Sequence, residues 1–209
     1  AHDISANNVD ISGNLRMTED GFIDAHDASF NNVDVGNILF TNGQIIQRSN
    51  ANVTTLGANS VALGPHDDVQ GTYAFGFGGA NAGNAVKAAQ TGSFAMGSNN
   101  DATTPYSMAF GEDIISGGAS GGYHAIAMGY QSTASGNYST AMGRSTIADA
   151  PSATAIGYDT TASGDYSTAM GNGATASATS STAMGEDSTA SGAYSLASGY
   201  NTTASNSAT

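Results

Sequence analysis

The chain has 209 residues, 17 acidic against four basic, a net charge of −13 and no cysteine. Nucleic acid and anionic membranes are poor partners for such a chain, because phosphate contacts need Lys and Arg; without cysteine, disulfides and thiolate metal sites are excluded. No apolar run approaches the roughly 18 residues that span a bilayer, so this segment is not expected to insert into a membrane.

Residues 1–48 hold a duplication with an offset of 24 residues. His2-Asp3 returns as His26-Asp27, and Asn7-Asn8-Val9-Asp10 returns as Asn31-Asn32-Val33-Asp34. Each copy continues through an apolar segment (Leu15 to Met17; Ile38 to Phe40), a turn (Asp20-Gly21; Asn42-Gly43) and an apolar pair (Phe22-Ile23; Ile45-Ile46). Val and Ile alternating with polar residues, punctuated by Asp-Gly and Asn-Gly, predict short strands and tight turns. One copy is too small to bury a core of its own. Residues 1–48 are therefore expected to form a shaft of strands from several chains, followed by a polar junction over 49–56 and a repeat domain over 57–209.

The repeat domain begins irregularly. Gly64 to Gly76 reads as a short coil, Gly79 to Gly92 as an insertion, and Glu112 to His124 as an insertion that lengthens one coil from 14 residues to 18. Insertions in a solenoid leave it as loops, often on the binding face; loops tolerated merely because they are exposed are the equal alternative.

From Ala125 onward a 14-residue unit recurs in strict register, with Gly129, Gly143, Gly157, Gly171, Gly185 and Gly199 in one position. Alanine follows five residues after the glycine (Ala134, Ala148, Ala162, Ala176, Ala190, Ala204) and again seven further on (Ala141, Ala155, Ala169, Ala183, Ala197). Two alanines seven apart predict two short strands per coil, each turning one small side chain inward; the recurring Gly, Ser and Thr disfavour helix. The fold class read from this pattern is all-β, a parallel β-roll with 14-residue coils. Strand alternation then turns the residue before each glycine outward. Leu63, Phe75, Met96, Phe110, Met128, Met142, Ile156, Met170 and Met184 fill that slot. Monomers rarely expose such a stripe, and an alanine-filled roll buries little apolar area against its backbone entropy. The slot is expected to be the seam of a homotrimer.

The phrases Ser60-Val61-Ala62-Leu63-Gly64, Ser93-Phe94-Ala95-Met96-Gly97, Ser139-Thr140-Ala141-Met142-Gly143 and Ala153-Thr154-Ala155-Ile156-Gly157 resemble the head repeats of YadA-like trimeric autotransporter adhesins. That resemblance implies a left-handed roll, three of which form the head of a surface fibre that attaches to host cells, matrix protein or glycans. Similar phrases occur in fibre proteins of phages and large viruses, so attachment of a virion to its host is the alternative, and the location implied is extracellular in either case. No neck or anchor motif follows the repeats, and the chain stops mid-coil at Thr209, as part of a longer protein would.

Nothing in the sequence forms a catalytic constellation or a cofactor site. There is no Gly-x-Ser-x-Gly elbow and no phosphate-binding loop with its Lys, so no enzyme is expected. His2 and His26 would each become a ring of three on a three-fold axis, a metal or anion site; a surface His-Asp turn is the preferred reading. Tyr138, Tyr166 and Tyr194 recur every 28 residues with Ser152 and Ser180 between them. Coils stacked about 4.8 Å apart would separate those rings by roughly 10 Å, too far for direct stacking. Packing over small neighbours is the favoured role; an exposed row stacking on sugars is the other. Lys87, Tyr123 and His124, in or beside the insertions, join them as candidate binding residues. Thr133, Thr161, Thr175, Thr189 and Thr203 form a ladder interrupted by Ile147, the basis of a third reading as an ice-binding surface, against which Glu186, Asp187 and Tyr158 stand as bulky or charged neighbours. Asn52, Asn137 and Asn201 match glycosylation acceptors.

Overall fold

A computed structural model describes residues 45–47, 57–64, 67–79, 85–117 and 123–207. The shaft reading, with His2 and His26, and the acceptor Asn52 lie outside the described residues.

From Phe94 on, each coil contributes a five-residue strand and a two-residue strand, and coils stack in parallel register. The first sheet begins at Ile45–Gln47, Val61–Leu63 and Phe75–Gly78, runs through Thr140–Arg144 and ends at Leu196–Tyr200; the second runs from Lys87–Ala88 to Thr203–Ala204. Ile45–Gln47 pairs parallel to Val61–Leu63, although it belongs to the stretch read from sequence as shaft. All pairing between coils is parallel and in phase. Ala141 faces Ala155, Met142 faces Ile156 and Gly143 faces Gly157, so every 14-residue step returns each side chain to the same column.

The core is thin and made of alanine. Ala141, Ala155, Ala169 and Ala183 from the long strands and Ala134, Ala148, Ala162 and Ala176 from the short ones are fully buried. A column of serines at the entry to the long strands closes the corner. Ser93, Ser107 and Ser139 each donate a hydrogen bond to the carbonyl three residues back, at 2.7 Å. The ladder glycines are required by contact as well as by φ. Gly143 has φ of 135°, and a Cβ there would overlap the carbonyl oxygen of Gly157 in the next coil.

Two irregularities resolve differently from the sequence reading. Leu63 pairs with Phe77 and Gly78 with Gly97, so the coil from Gly64 to Gly78 has the normal length and is not short. Gly76 occupies an interior alanine position, where the Val69 side chain fills the space a Cβ would take. The supposed insertions also shrink. Lys87–Ala88 and Ile115–Ser116 are ordinary short strands, in register with Asp101–Ala102 and Thr133–Ala134. The extra residues fall between Gly78 and Lys87, and between Ser116 and Ile126. The two sets thus fall at different connections in the chain, one following a long strand and one following a short strand.

Candidate functional site

The outer face of the long-strand sheet carries three columns, because alternate residues of each strand point away from the alanine core. The central column is Leu63, Phe77, Met96, Phe110, Met128, Met142, Ile156, Met170 and Met184. Phe75 does not belong to it, contrary to the sequence reading. Register places Phe75 one column over, with Val61, Phe94, Met108 and Ile126, where it stacks on Phe94 at 4.6 Å between ring centres. From Thr140 on, that neighbouring column changes to threonine. The five column methionines stay 36–38 % exposed in the single chain, a continuous apolar stripe along the centre of the face.

The third column, one residue past each ladder glycine, was not picked out from the sequence. It brings Glu112, Tyr130, Arg144, Tyr158, Asn172 and Glu186 into line. The Arg144 guanidinium carbon lies 5.8 Å from the Tyr130 ring centre and 5.3 Å from that of Tyr158, a cation held between two aromatic faces. The signal was available, since all three residues directly follow a ladder glycine.

The tyrosine column stands at the corner that leads into the long strands. Tyr73, Tyr106, Tyr138, Tyr166 and Tyr194 all adopt φ between 57° and 60°. Bulky residues enter this left-handed region at a cost of roughly 1–2 kcal/mol. The rings are not buried in compensation: Tyr138, Tyr166 and Tyr194 are 64 %, 66 % and 65 % exposed, so the packing role expected of them is not what the single chain shows. Nor are all rings at this corner too far apart to stack. His124 takes the same position and fits between Tyr106 and Tyr138, with ring centres 5.1 Å from each. Tyr123 precedes it, half exposed, its backbone N–H donating to Asn137 Oδ1 at 3.1 Å.

Of the remaining candidates, Lys87 stands apart from this corner on the short-strand sheet, 3.7 Å from Asp101. The threonine ladder (Thr133, Thr161, Thr175, Thr189, Thr203) lies on the outside of that same sheet, with Ile147 interrupting it. Glu186 and Tyr158 belong to the other sheet and Asp187 to a turn, so they do not stand on the threonine face as the sequence reading assumed. Among the described residues no group of three His, Asp or Glu is placed to hold a metal, and no helix is long and apolar enough to cross a membrane.

Fold and surface together define a parallel β-solenoid with an alanine interior and one long apolar outer column. The YadA head domain repeat, in its two-copy form, matches residues 88–111, 120–146, 148–174 and 176–205. These segments make up more than half of the chain, which belongs to the YadA head repeat family. No curated protein matches the sequence.

Proposed function

We propose that this chain is a non-enzymatic segment of a homotrimeric extracellular fibre, whose left-handed roll serves as an adhesive head. The observation that carries the reading is the central column from Leu63 to Met184, left more than a third exposed at each methionine on a roll whose interior is almost wholly alanine. Burial of apolar surface contributes roughly 25 cal/mol per Å², and alanine supplies little of it. A second apolar layer made by packing three columns about one axis supplies what the single roll lacks. Attachment to cells, matrix protein or glycans then works through many weak contacts multiplied by three. Cell-surface adhesin is the first carrier. A phage or viral fibre is the second, favoured by the duplicated segment around His2 and His26.

Sedimentation equilibrium, followed by denaturation at several protein concentrations, tests the assembly. The expected result is a trimer whose unfolding midpoint rises with concentration; a folded, stable monomer at micromolar concentration overturns it. Immunogold labelling with antibody against the head separates the carriers, decorating bacterial cells in the first case and virions in the second.

A further inference from the structure

Five coils place tyrosine at a backbone position that other coils of the same chain give to Asn59, Gly92, His124, Ser152 and Ser180. Asn and Gly enter the left-handed region readily, whereas a bulky aromatic does not. All five tyrosines are more than half exposed, so burial inside the chain does not offset the strain. A strained residue used repeatedly at an exposed position points to whatever its ring touches outside the chain.

We propose that the Tyr138–Ser152–Tyr166–Ser180–Tyr194 column forms two slots, each of which binds one uncharged pyranose ring of a glycan. The orientation comes from Tyr106, His124 and Tyr138, whose planes differ by only 17° and 11° along the stack. Rings at this corner therefore turn their faces toward the neighbouring coils. Beyond Tyr138, serine takes every second place and opens a gap of roughly 10 Å between ring centres. Tyr166 and Tyr194 share the φ and exposure of Tyr138, and the proposal gives their rings the same stance.

The gap selects its occupant. A flat aromatic ligand making contact at roughly 3.5 Å on each side would fill only about 7 Å of it. A puckered saccharide ring, with C–H groups on both faces, is thicker, and those C–H groups suit the negative face of a tyrosine ring. Hydroxyls of Ser152 and Ser180 border the slots from within the column, and Asp165 and Thr179 stand exposed one residue before it, groups that accept or donate hydrogen bonds to sugar hydroxyls. No Lys or Arg stands in this column, so a carboxylated sugar finds no counter-charge. Sandwiching sets the pyranose plane across the stacking direction, so a terminal or branch sugar enters edge-on.

The inference rests on the head being an attachment surface, and its failure is separable from failure of that reading. Saturation-transfer NMR on the full 209-residue chain, with neutral methyl hexopyranosides and the matching methyl hexuronides as probes, is the test. Transfer to the ring C–H groups of a neutral hexoside, and not to its uronide, is expected. Tyr166 borders both slots. Tyr166→Ser, which installs the residue other coils carry, should lower affinity roughly tenfold, the worth of one stacked ring, while Tyr166→Phe should keep it. Ser152→Tyr with Ser180→Tyr should close both slots and abolish the signal. No transfer to any hexoside, or an unchanged signal in Tyr166→Ser, overturns the proposal. So does a change in sedimentation caused by Tyr166→Ser, which would place the ring against another chain. A wild-type chain that binds hexosides as a monomer upholds the slots and removes the trimeric reading; cell attachment that survives loss of the sugar signal upholds the slots and moves attachment elsewhere.

Discussion

Asn100 and Thr160 occupy the same place in their coils, three residues past the ladder glycine and pointing into the roll, yet they fare differently. Asn100 donates through Nδ2 to the carbonyls of Met96 and Gly111, at 2.6 and 2.8 Å, and its Oδ1 accepts the Ile114 N–H at 3.0 Å. One side chain thus ties neighbouring coils together at a corner where the backbone is not fully paired. Thr160 is equally buried, but its hydroxyl meets no partner among the described residues. A buried polar group without a hydrogen bond costs roughly 1–3 kcal/mol, and removing one partner of a satisfied set costs a similar amount in the other direction. Thr160→Val keeps the shape and removes the unpaired oxygen, so it should raise the unfolding midpoint. Asn100→Ala should lower stability by about 2 kcal/mol or more, because it strands a buried N–H and two carbonyls. Chemical denaturation of the two variants checks both signs.

Within one coil, the long strand separates two kinds of damage. Ala169 is fully buried and Met170, its neighbour, points out into the central column. Ala169→Leu forces extra carbons into a close-packed interior, at about 1–3 kcal/mol per chain, and the strain passes to adjacent coils because a solenoid is held by its neighbour interfaces. Met170→Asp leaves the interior intact and places a carboxylate in the proposed seam. Burial there raises the carboxyl pKa in the assembled state above its unfolded value near 4. In the window between those values the assembled state holds the extra proton, so stability falls as pH rises through it and returns as pH drops. Thermal melts across pH should therefore rescue Met170→Asp in acid and leave Ala169→Leu unrescued. Parallel pH profiles for the two would mean that the column faces solvent in the assembly.

Across the whole roll, the apolar outer face is not uniform. Through the coils up to Ile126 two adjacent columns are apolar, Val61, Phe75, Phe94, Met108 and Ile126 beside Leu63, Phe77, Met96, Phe110 and Met128. From Thr140 to Thr182 the first of these columns is threonine, and only the methionine column continues. If the columns meet on one axis, the amino-terminal half of the head buries the wider apolar band and holds the assembly more tightly. Phe94→Thr should then promote dissociation, and Thr168→Val, which extends the wide band, should oppose it. Sedimentation velocity over a dilution series reads both; equal dissociation of the two variants contradicts the gradient.

Much of this architecture is legible in the residue pattern because its two periods are rigid. A repeat of 14 that never slips after Ala125 sets coil length, and strand alternation puts Ala141 inside and Met142 outside. The register of the early coils is not legible. Gly76 and Gly78 look alike in sequence, and only the space filled by Val69 decides that Gly76 takes an interior place and Phe77 the outer one. Which residues meet across coils was hidden for the same reason. Tyr106 and His124 are 18 apart rather than 14, yet they stack, because the long strands that follow them, from Met108 and from Ile126, pair in register. Sequence alone therefore determined the coil and its two faces, through local geometry that each unit repeats. Tertiary structure decided the partners along the stack and the left-handed stance of the tyrosines, because both depend on where the chain closes each turn rather than on the residues within it.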